Sequence, residues 1–320
     1  MELNLATLNK WIPYKLVDTG TETLCEWLYT GGEKFNRTFF DNTIGICRRF
    51  PQNAGPQKNI TSIAQLLEWA AQINVEEPTA IIFHISRCGS TIVSQALANN
   101  ADNTVLSEVP FFDDVLQYSS AQVYGQGVLL NAVIKLYSQP KNGLGSKVFI
   151  KTDSWHIMLY EQLRQIFPRV PFILLYRNPA EVVRSLNKGP GRHCIPQFID
   201  PGFFGIREQV VTAEDFYNYP IKVIEKYFEA FIEVIEKDNN AFLFNYNDGM
   251  VKVVEDIFKV IGLSFTENNR AQMQEQLMYH SKTPGMFFSP EPPMQISDDK
   301  FAYVLELYNR LEELKAGTKQ

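Results

Sequence analysis

A chain of 320 residues, 45% hydrophobic and 21% charged, is long enough to bury one large α/β core, and its composition excludes a wholly disordered polypeptide. Its formal net charge of −6 argues against broad nucleic-acid binding, which needs a basic face to release counterions; a local basic pocket for an anionic cofactor remains compatible. Cys25, Cys47, Cys88 and Cys194 form no CxxC pair, so neither a zinc framework nor a disulfide scaffold is expected.

Residues 1–60 carry many aromatic and turn residues, among them Trp11, Trp27, Tyr29, Gly31, Gly32, Phe39 and Phe40. The pattern reads as β-rich, with a strand over Thr23–Tyr29, a turn at Gly31-Gly32 and a loop over Pro51 to Pro56. Thr61–Gln72 repeats Ile63, Leu66, Leu67, Trp69 and Ala70 at helical spacing. The pattern then changes. Short apolar strands are predicted at Thr79–Ile85, Asn103–Ser107, Val148–Thr152, Pro171–Tyr176 and Ala241–Asn245. Helices are predicted at Ser90–Asn99, from the end of the Val148–Thr152 strand through Phe167, and at Ala180–Asn187, Ala213–Lys237 and Met250–Ile261. Pro220 is expected to kink or restart the long helix, and Gly262 to end the last. Residues 188–205 read as a long Gly/Pro loop. Strands alternating with helices imply a parallel sheet covered on both faces.

The most informative segment is Ile81-Ile82-Phe83-His84-Ile85-Ser86-Arg87-Cys88-Gly89-Ser90-Thr91. An apolar strand enters a tight loop, and a helix opens with Ser and Thr. Such a loop gathers backbone N–H groups beside the positive end of a helix dipole, which suits phosphate or sulfate. Arg87 adds a planar cation for oxyanions. The GK[ST] ending of a Walker A loop is missing. A second strand, Phe172–Tyr176, ends in Arg177-Asn178-Pro179, and Ser185 lies about two helical turns further on. Arg177 therefore stands at the carboxyl end of a parallel strand, where open α/β sheets bind ligands. The plain alternative for Arg177 is a pairing with a nearby carboxylate. His84 is expected to be packed or hydrogen-bonded, and His156 to face a helix surface. Arg192 and His193 are candidates for contact with a ligand, with surface exposure as the alternative. Trp155, Phe203 and Phe204 are candidates for a pocket lining, with core packing as the alternative.

Ser86-Arg87-Cys88-Gly89-Ser90-Thr91 resembles the PKSGTT or PRSGTT loop that takes the 5′-phosphosulfate in the sulfotransferases. Arg177, Pro179 and Ser185 resemble their 3′-phosphate motif RxPxxxxxS, with Arg and Ser eight apart as in the family. Ser86, Cys88 and Ser90 depart from the commonest loop without removing the glycine or the cation. Asn103–Pro110 resembles the strand that delivers the base; cytosolic members place His there, protein-tyrosine sulfotransferases Glu, and this chain has Glu108. Leu106 stands where the family has the lysine of KTH. Lys151 resembles the NKDP lysine of the tyrosine-modifying branch, and Asn245–Asp248 resembles the YEDL element. Tyr279–Gly285, with Lys282, stands where the family has a basic donor-binding segment. The resemblance covers about residues 78–290.

The resemblance implies a P-loop-type three-layer α/β sandwich with a central parallel sheet over 77–320; the β-rich stretch at 1–76 lies outside it, an extension of unknown role. It implies a sulfotransferase using 3′-phosphoadenylyl sulfate, with adenosine 3′,5′-bisphosphate as product and no metal. Glu108, Arg87 and Lys151 would be catalytic, with His193 the rival base. Arg87, Cys88, Gly89, Ser90, Thr91, Arg177, Ser185 and Lys282 would hold the donor. The acceptor could be a small molecule, lipid, glycan or peptide; nucleic acid is not expected, and the oligomeric state is left open. MELNLATLNKW lacks the basic-then-apolar pattern of a secretory signal, and no apolar run approaches the ~20 residues of a membrane helix, so a soluble cytoplasmic protein is expected. Two alternatives stay open: a kinase using ATP and Mg²⁺, with Asp153 near the metal, and a nucleotide-binding module without turnover.

Overall fold

Two sheets organise the chain, in keeping with the change of pattern near residue 79. The computed structural model describes residues 5–317 apart from 38, 76, 101, 119–123, 140–146, 207–209, 211, 280–285 and 288–300. The first sheet is antiparallel, in the order β1 (Trp11–Asp18), β2 (Thr23–Tyr29), β3 (Asn59–Ser62). Its hairpin turns where Asp18 Oδ1 accepts the Gly20 N–H at 2.8 Å and Gly20 takes φ +81°. The β1–β2 register slips between Pro13 and Lys15, where proline has no N–H to give the ladder. Trp27 Nε1–H closes the far side on Thr61 Oγ1 at 2.8 Å.

The second sheet is parallel and holds β4 (Ala80–His84), β5 (Asn103–Ser107), β6 (Lys147–Lys151), β7 (Phe172–Tyr176) and β8 (Ala241–Asn245) in the order β5-β6-β4-β7-β8. Every residue of β4 and of β7 is buried, which explains their unbroken apolar runs. Ile81 pairs with Phe172 and His84 with Leu175, so the two strands end side by side. The chain leaves β4 toward β5 and β6 on one side and returns to β7 and β8 on the other. The carboxyl ends of β4 and β7 therefore flank a topological switch point.

The chain forms two compact units. The first comprises residues 1–78, 97–150 and 162–168. It contains α1 (Phe40–Cys47), α2 (Ile63–Ala71), α4 (Pro110–Gln117) and α5 (Gln126–Tyr137). Its core is aromatic: Phe35, Phe40 and Phe112 surround Tyr137 with ring centroids 5.7–5.8 Å away, and Tyr137 Oη donates to the Pro13 carbonyl at 2.6 Å. The second comprises residues 79–96, 151–161 and 169–320. It contains β4, β7 and β8 with α7 (Pro179–Lys188), α8 (Ala213–Lys237), α9 (Met250–Val260), α10 (Glu267–Leu277) and α11 (Ala302–Gly317). Two further helices, α3 (Ser90–Ala98) and α6 (Tyr160–Ile166), follow β4 and β6 in the chain.

The expected strands and helices are found within two residues at most ends, with four differences. β3 occupies the start of the helix expected from Thr61; Ser62 then caps α2 by accepting the Gln65 N–H at 3.1 Å. The helix after β6 opens with a 3-10 stretch, Ser154–Leu159. Helix α8 is continuous and does not restart at Pro220, its eighth residue, where the proline leaves the carbonyl of exposed Phe216 without its helical N–H. His156 is buried at 2% exposure rather than on a helix surface, and packs edge-on against Trp155 at 4.4 Å.

Candidate functional site

The loop after β4 is wound unusually. Ser86 and Arg87 both take positive φ, 67° and 52°, followed by Gly89 at 82°. Side-chain-bearing residues rarely adopt this region, and they persist there only when their surroundings hold them. His84 is one such hold. Its Nδ1 accepts the Ser86 N–H at 3.1 Å, so Nε2 carries the proton and donates to the Thr152 carbonyl at 3.0 Å. Ser154 Oγ lies 3.2 Å from the same Nδ1. The histidine buckles the loop to the segment after β6, as a packed and hydrogen-bonded residue rather than an exposed base.

Gly89 is required by contact as well as by conformation. A Cβ there would lie 2.8 Å from Tyr246 Cδ2 and 2.8 Å from Met250 Sδ. Its carbonyl accepts the Ile92 N–H at 2.9 Å and the Val93 N–H at 3.2 Å, which starts α3. The first-turn N–H groups at Ser90 and Thr91 have no intrahelical acceptor, the arrangement that suits an anion. Both side chains are buried. Cys88 is buried inside the loop, and burial pushes its thiol up to about 11. The Ile85 and Ser90 backbone N–H groups and the Lys151 and Arg177 charges pull the other way, which places both cations within electrostatic reach of the loop. Lys151, at the end of β6, is 1% exposed.

Arg177 follows β7. Its Nε–H donates to Glu181 Oε2 at 2.7 Å, Nη2 lies 2.5 Å from the same oxygen, and Nη1 donates to the Arg87 carbonyl at 3.2 Å. Its Cζ sits 4.1 Å from the Tyr246 ring centroid. The carboxylate pairing named as the alternative for Arg177 is thus present, and it coexists with a direct bond to the anion loop. A guanidinium has five N–H groups, and these bonds use three. Glu181 is held in turn by Asn247 Nδ2, 3.2 Å from Oε1.

Arg87 reaches across the loop and donates through Nη2 to the carbonyl of Gly189, the residue after α7. Ser185, half-buried, is one turn before that end. Cys194 is buried, and burial pushes its thiol up to about 12 against the nearby Arg87 charge. The expected Gly/Pro loop is therefore folded against the anion loop around two 3-10 turns, Arg192–Cys194 and Pro201–Phe204. Arg192 is exposed over Phe198, while His193 is buried with its ring 5.8 Å from Tyr227. Trp155 and Phe204 are buried, and Trp155 meets Phe203 edge-on at 5.1 Å.

Glu108 belongs to the first unit, directly after β5, half-buried and with φ +53°. Val109 is the N-cap residue of α4. Leu106 is fully buried in the strand. Lys282 lies outside the described residues. Among the described residues no cluster of three His, Cys, Asp or Glu could hold a metal ion, and no helix is long and apolar enough to cross a membrane. A groove of about 890 Å³ in the first unit is lined by Leu67, Ala70, Val128, Lys135 and Ile166, among others, and by none of the anion-motif residues. Sequence reasoning missed Glu181, Tyr246 and Asn247 as site neighbours. The i,i+4 spacing of Arg177 and Glu181 was the available signal for the first; for the other two it was the family-like Asn245–Asp248 segment.

No family model matches the chain, and no curated protein matches it. Among solved structures it is similar to a sulfotransferase from Alicyclobacillus acidocaldarius, at 14% identity and TM-score 0.44 over 76% of this chain and 97% of that one. It is similar to sulfotransferase STF9 from Mycobacterium avium, at 12% identity and TM-score 0.46 over 87% of this chain and 82% of that one. It is also similar to mouse sulfotransferase SULT7A1 complexed with PAP, at 13% identity and TM-score 0.39 over 82% of this chain and 91% of that one. These are distant likenesses, and they assign neither an activity nor a site residue to this chain.

Proposed function

We propose that the chain is a sulfotransferase that moves a sulfuryl group from 3′-phosphoadenylyl sulfate to a hydroxyl or amine. The observation that carries this reading is the bond from Arg177 Nη1 to the Arg87 carbonyl, 3.2 Å, at the ends of the neighbouring strands β4 and β7. Two anion-binding elements so joined at a switch point suit a nucleotide with anionic groups at two places. In this reading the Arg87–Thr91 loop takes the 5′-phosphosulfate through backbone N–H groups, the Ser90 and Thr91 hydroxyls and the Arg87 charge. Arg177, with two N–H groups beyond those bonded to Glu181 and Arg87, takes the 3′-phosphate with Ser185, and Lys282 assists.

The acceptor oxygen or nitrogen attacks sulfur in line. Its bond to sulfur forms as the bridging S–O bond to the 5′-phosphate breaks, and that electron pair leaves with adenosine 3′,5′-bisphosphate. Glu108 takes the acceptor proton. Lys151 and Arg87 stabilise charge on the sulfuryl and bridging oxygens. Residues 1–76 act as an extension, the acceptor is a small molecule, lipid, glycan or peptide, and the cytoplasm is the place of action.

Calorimetric titration with adenosine 3′,5′-bisphosphate tests the reading. The wild type is expected to prefer it to adenosine 5′-monophosphate, and Arg177→Ala to lose most of that preference. Equal affinity of the wild type for both nucleotides would remove the donor assignment.

A further inference from the structure

Tyr246 occupies a position that neither anion motif includes. One edge of its ring is against Gly89: a Cβ there would meet Tyr246 Cδ2 at 2.8 Å. The Arg177 guanidinium lies 4.1 Å from the ring centroid, with the arginine side chain 19% exposed. A cation that close to an aromatic ring and mostly out of water is held by the ring quadrupole. Arg177 then bonds back to the Arg87 carbonyl, two residues before Gly89. The contacts Gly89–Tyr246–Arg177–Arg87 close on themselves around the anion loop.

The ring is held in place from behind. Asn245 Oδ1 accepts the Asn247 N–H at 2.9 Å and shapes the turn Tyr246–Asp248. Asn247 Oδ1 accepts the Asn178 N–H at 3.0 Å, and its Nδ2 reaches Glu181. The turn after β8 is therefore fastened to both ends of the Arg177–Glu181 pair. Neither Arg177 nor the loop can shift without disturbing Tyr246.

We infer that Tyr246 is a positioning residue that couples the 5′-anion loop to Arg177, so that recognition of a 3′-phosphate depends on its ring. The inference rests on the donor reading proposed above and adds to it the residue that sets nucleotide specificity. It acts through Arg177 and touches no reacting atom.

The test measures the affinity ratio between adenosine 3′,5′-bisphosphate and adenosine 5′-monophosphate in four forms of the protein. Tyr246→Phe keeps the ring and is expected to keep the wild-type ratio. Tyr246→Leu, and replacement of Tyr246 by pentafluorophenylalanine, are expected to lower the ratio about three- to thirtyfold, the range of a cation–π contact. The fluorinated ring keeps the shape and reverses the quadrupole, so it separates coupling from simple packing even if the leucine variant folds poorly. An unchanged ratio in the fluorinated protein would overturn the inference. A second measurement needs no nucleotide: the unfolding free energies of Tyr246→Phe, the fluorinated replacement and each combined with Arg177→Met. Non-additive values support the coupling, and additive values contradict it. A wild type indifferent to the 3′-phosphate would instead overturn the donor reading, and the unfolding cycle would still decide whether Tyr246 and Arg177 are coupled.

Discussion

Gly89 and Tyr246 approach so closely that no side chain fits at residue 89: a Cβ would stand 2.8 Å from the tyrosine ring carbon Cδ2. Gly89 also takes φ +82°, a conformation that costs a residue with a Cβ about 1–2 kcal/mol. Overpacking adds about 1–3 kcal/mol. Gly89→Ala is therefore expected to lower the unfolding free energy by roughly 2–5 kcal/mol. Urea titration measures it, and a loss below about 0.5 kcal/mol, the size of an ordinary surface change, would contradict the tight contact.

Arg87 is expected to act on the ligand more than on the fold. Its side chain donates to the Gly189 carbonyl, which borders a loop rather than a strand. A charge-assisted bond to an anion contributes about 1.5–3 kcal/mol, so Arg87→Ala should weaken adenosine 3′,5′-bisphosphate roughly ten- to 150-fold. Arg87→Lys should recover part of the loss, since it keeps the charge and loses the planar fork. Unchanged calorimetric affinity in the alanine variant would remove Arg87 from the donor site.

The buried thiols make stability fall in alkali. Burial moves Cys88 from an ordinary 9.0 to about 11. Between those values the unfolded chain has lost this proton and the folded chain keeps it. The folded state then binds more protons, so the unfolding free energy declines as pH rises. The stabilisation is complete below about pH 9, and the decline is about 1.4 kcal/mol per pH unit for each such group. Cys194, pushed up to about 12, adds a second decline of the same sign. Urea melts from pH 8 to 10.5 should show a shallower fall in Cys88→Ala than in the wild type. Parallel curves would show that Cys88 is not the group responsible.

Glu108 is the general base of the proposed reaction. Glu108→Gln keeps the size of the side chain and removes its basicity. Loss of a general base costs roughly 10²–10⁴-fold in rate, so turnover should drop by that order while donor affinity holds. His193→Ala is the comparison. If the histidine variant loses turnover and the glutamine variant retains it, His193 is the base.

The parallel sheet was legible because strands buried on both faces are written as plain apolar runs, such as Ile81–Phe83 and Phe172–Leu175. The loop after β4 was legible for a similar reason: Gly89 and the polar helix start are local signals. β1 was not read as a strand, because its pairing slips at Pro13 and its apolar residues do not alternate cleanly. Helix α11 carries a mixed sequence. It is fixed by distant partners, with Asn245 Nδ2 bonded to Tyr308 Oη at 2.8 Å and to Glu312 Oε1 at 2.9 Å. Tyr246 and Asn247 were read only as part of a family-like segment, without a place at the site, because their partners, Gly89, Arg177, Glu181 and Asn178, lie far away along the chain. His156 was misplaced because a single histidine in a short amphipathic stretch gives no sign of which side it faces.

The central claim is that one site reads a nucleotide through two anionic groups, one at the Arg87–Thr91 loop and one at Arg177. Thermal unfolding in the presence of adenosine 3′,5′-bisphosphate, compared with ADP and Mg²⁺, tests it most directly. A ligand at one hundred times its dissociation constant adds roughly 2.7 kcal/mol to the folded state. Adenosine 3′,5′-bisphosphate should raise the melting temperature of the wild type, and Arg177→Ala should lose most of that rise. Stabilisation by ADP and Mg²⁺ with none by adenosine 3′,5′-bisphosphate would contradict the account and favour a kinase.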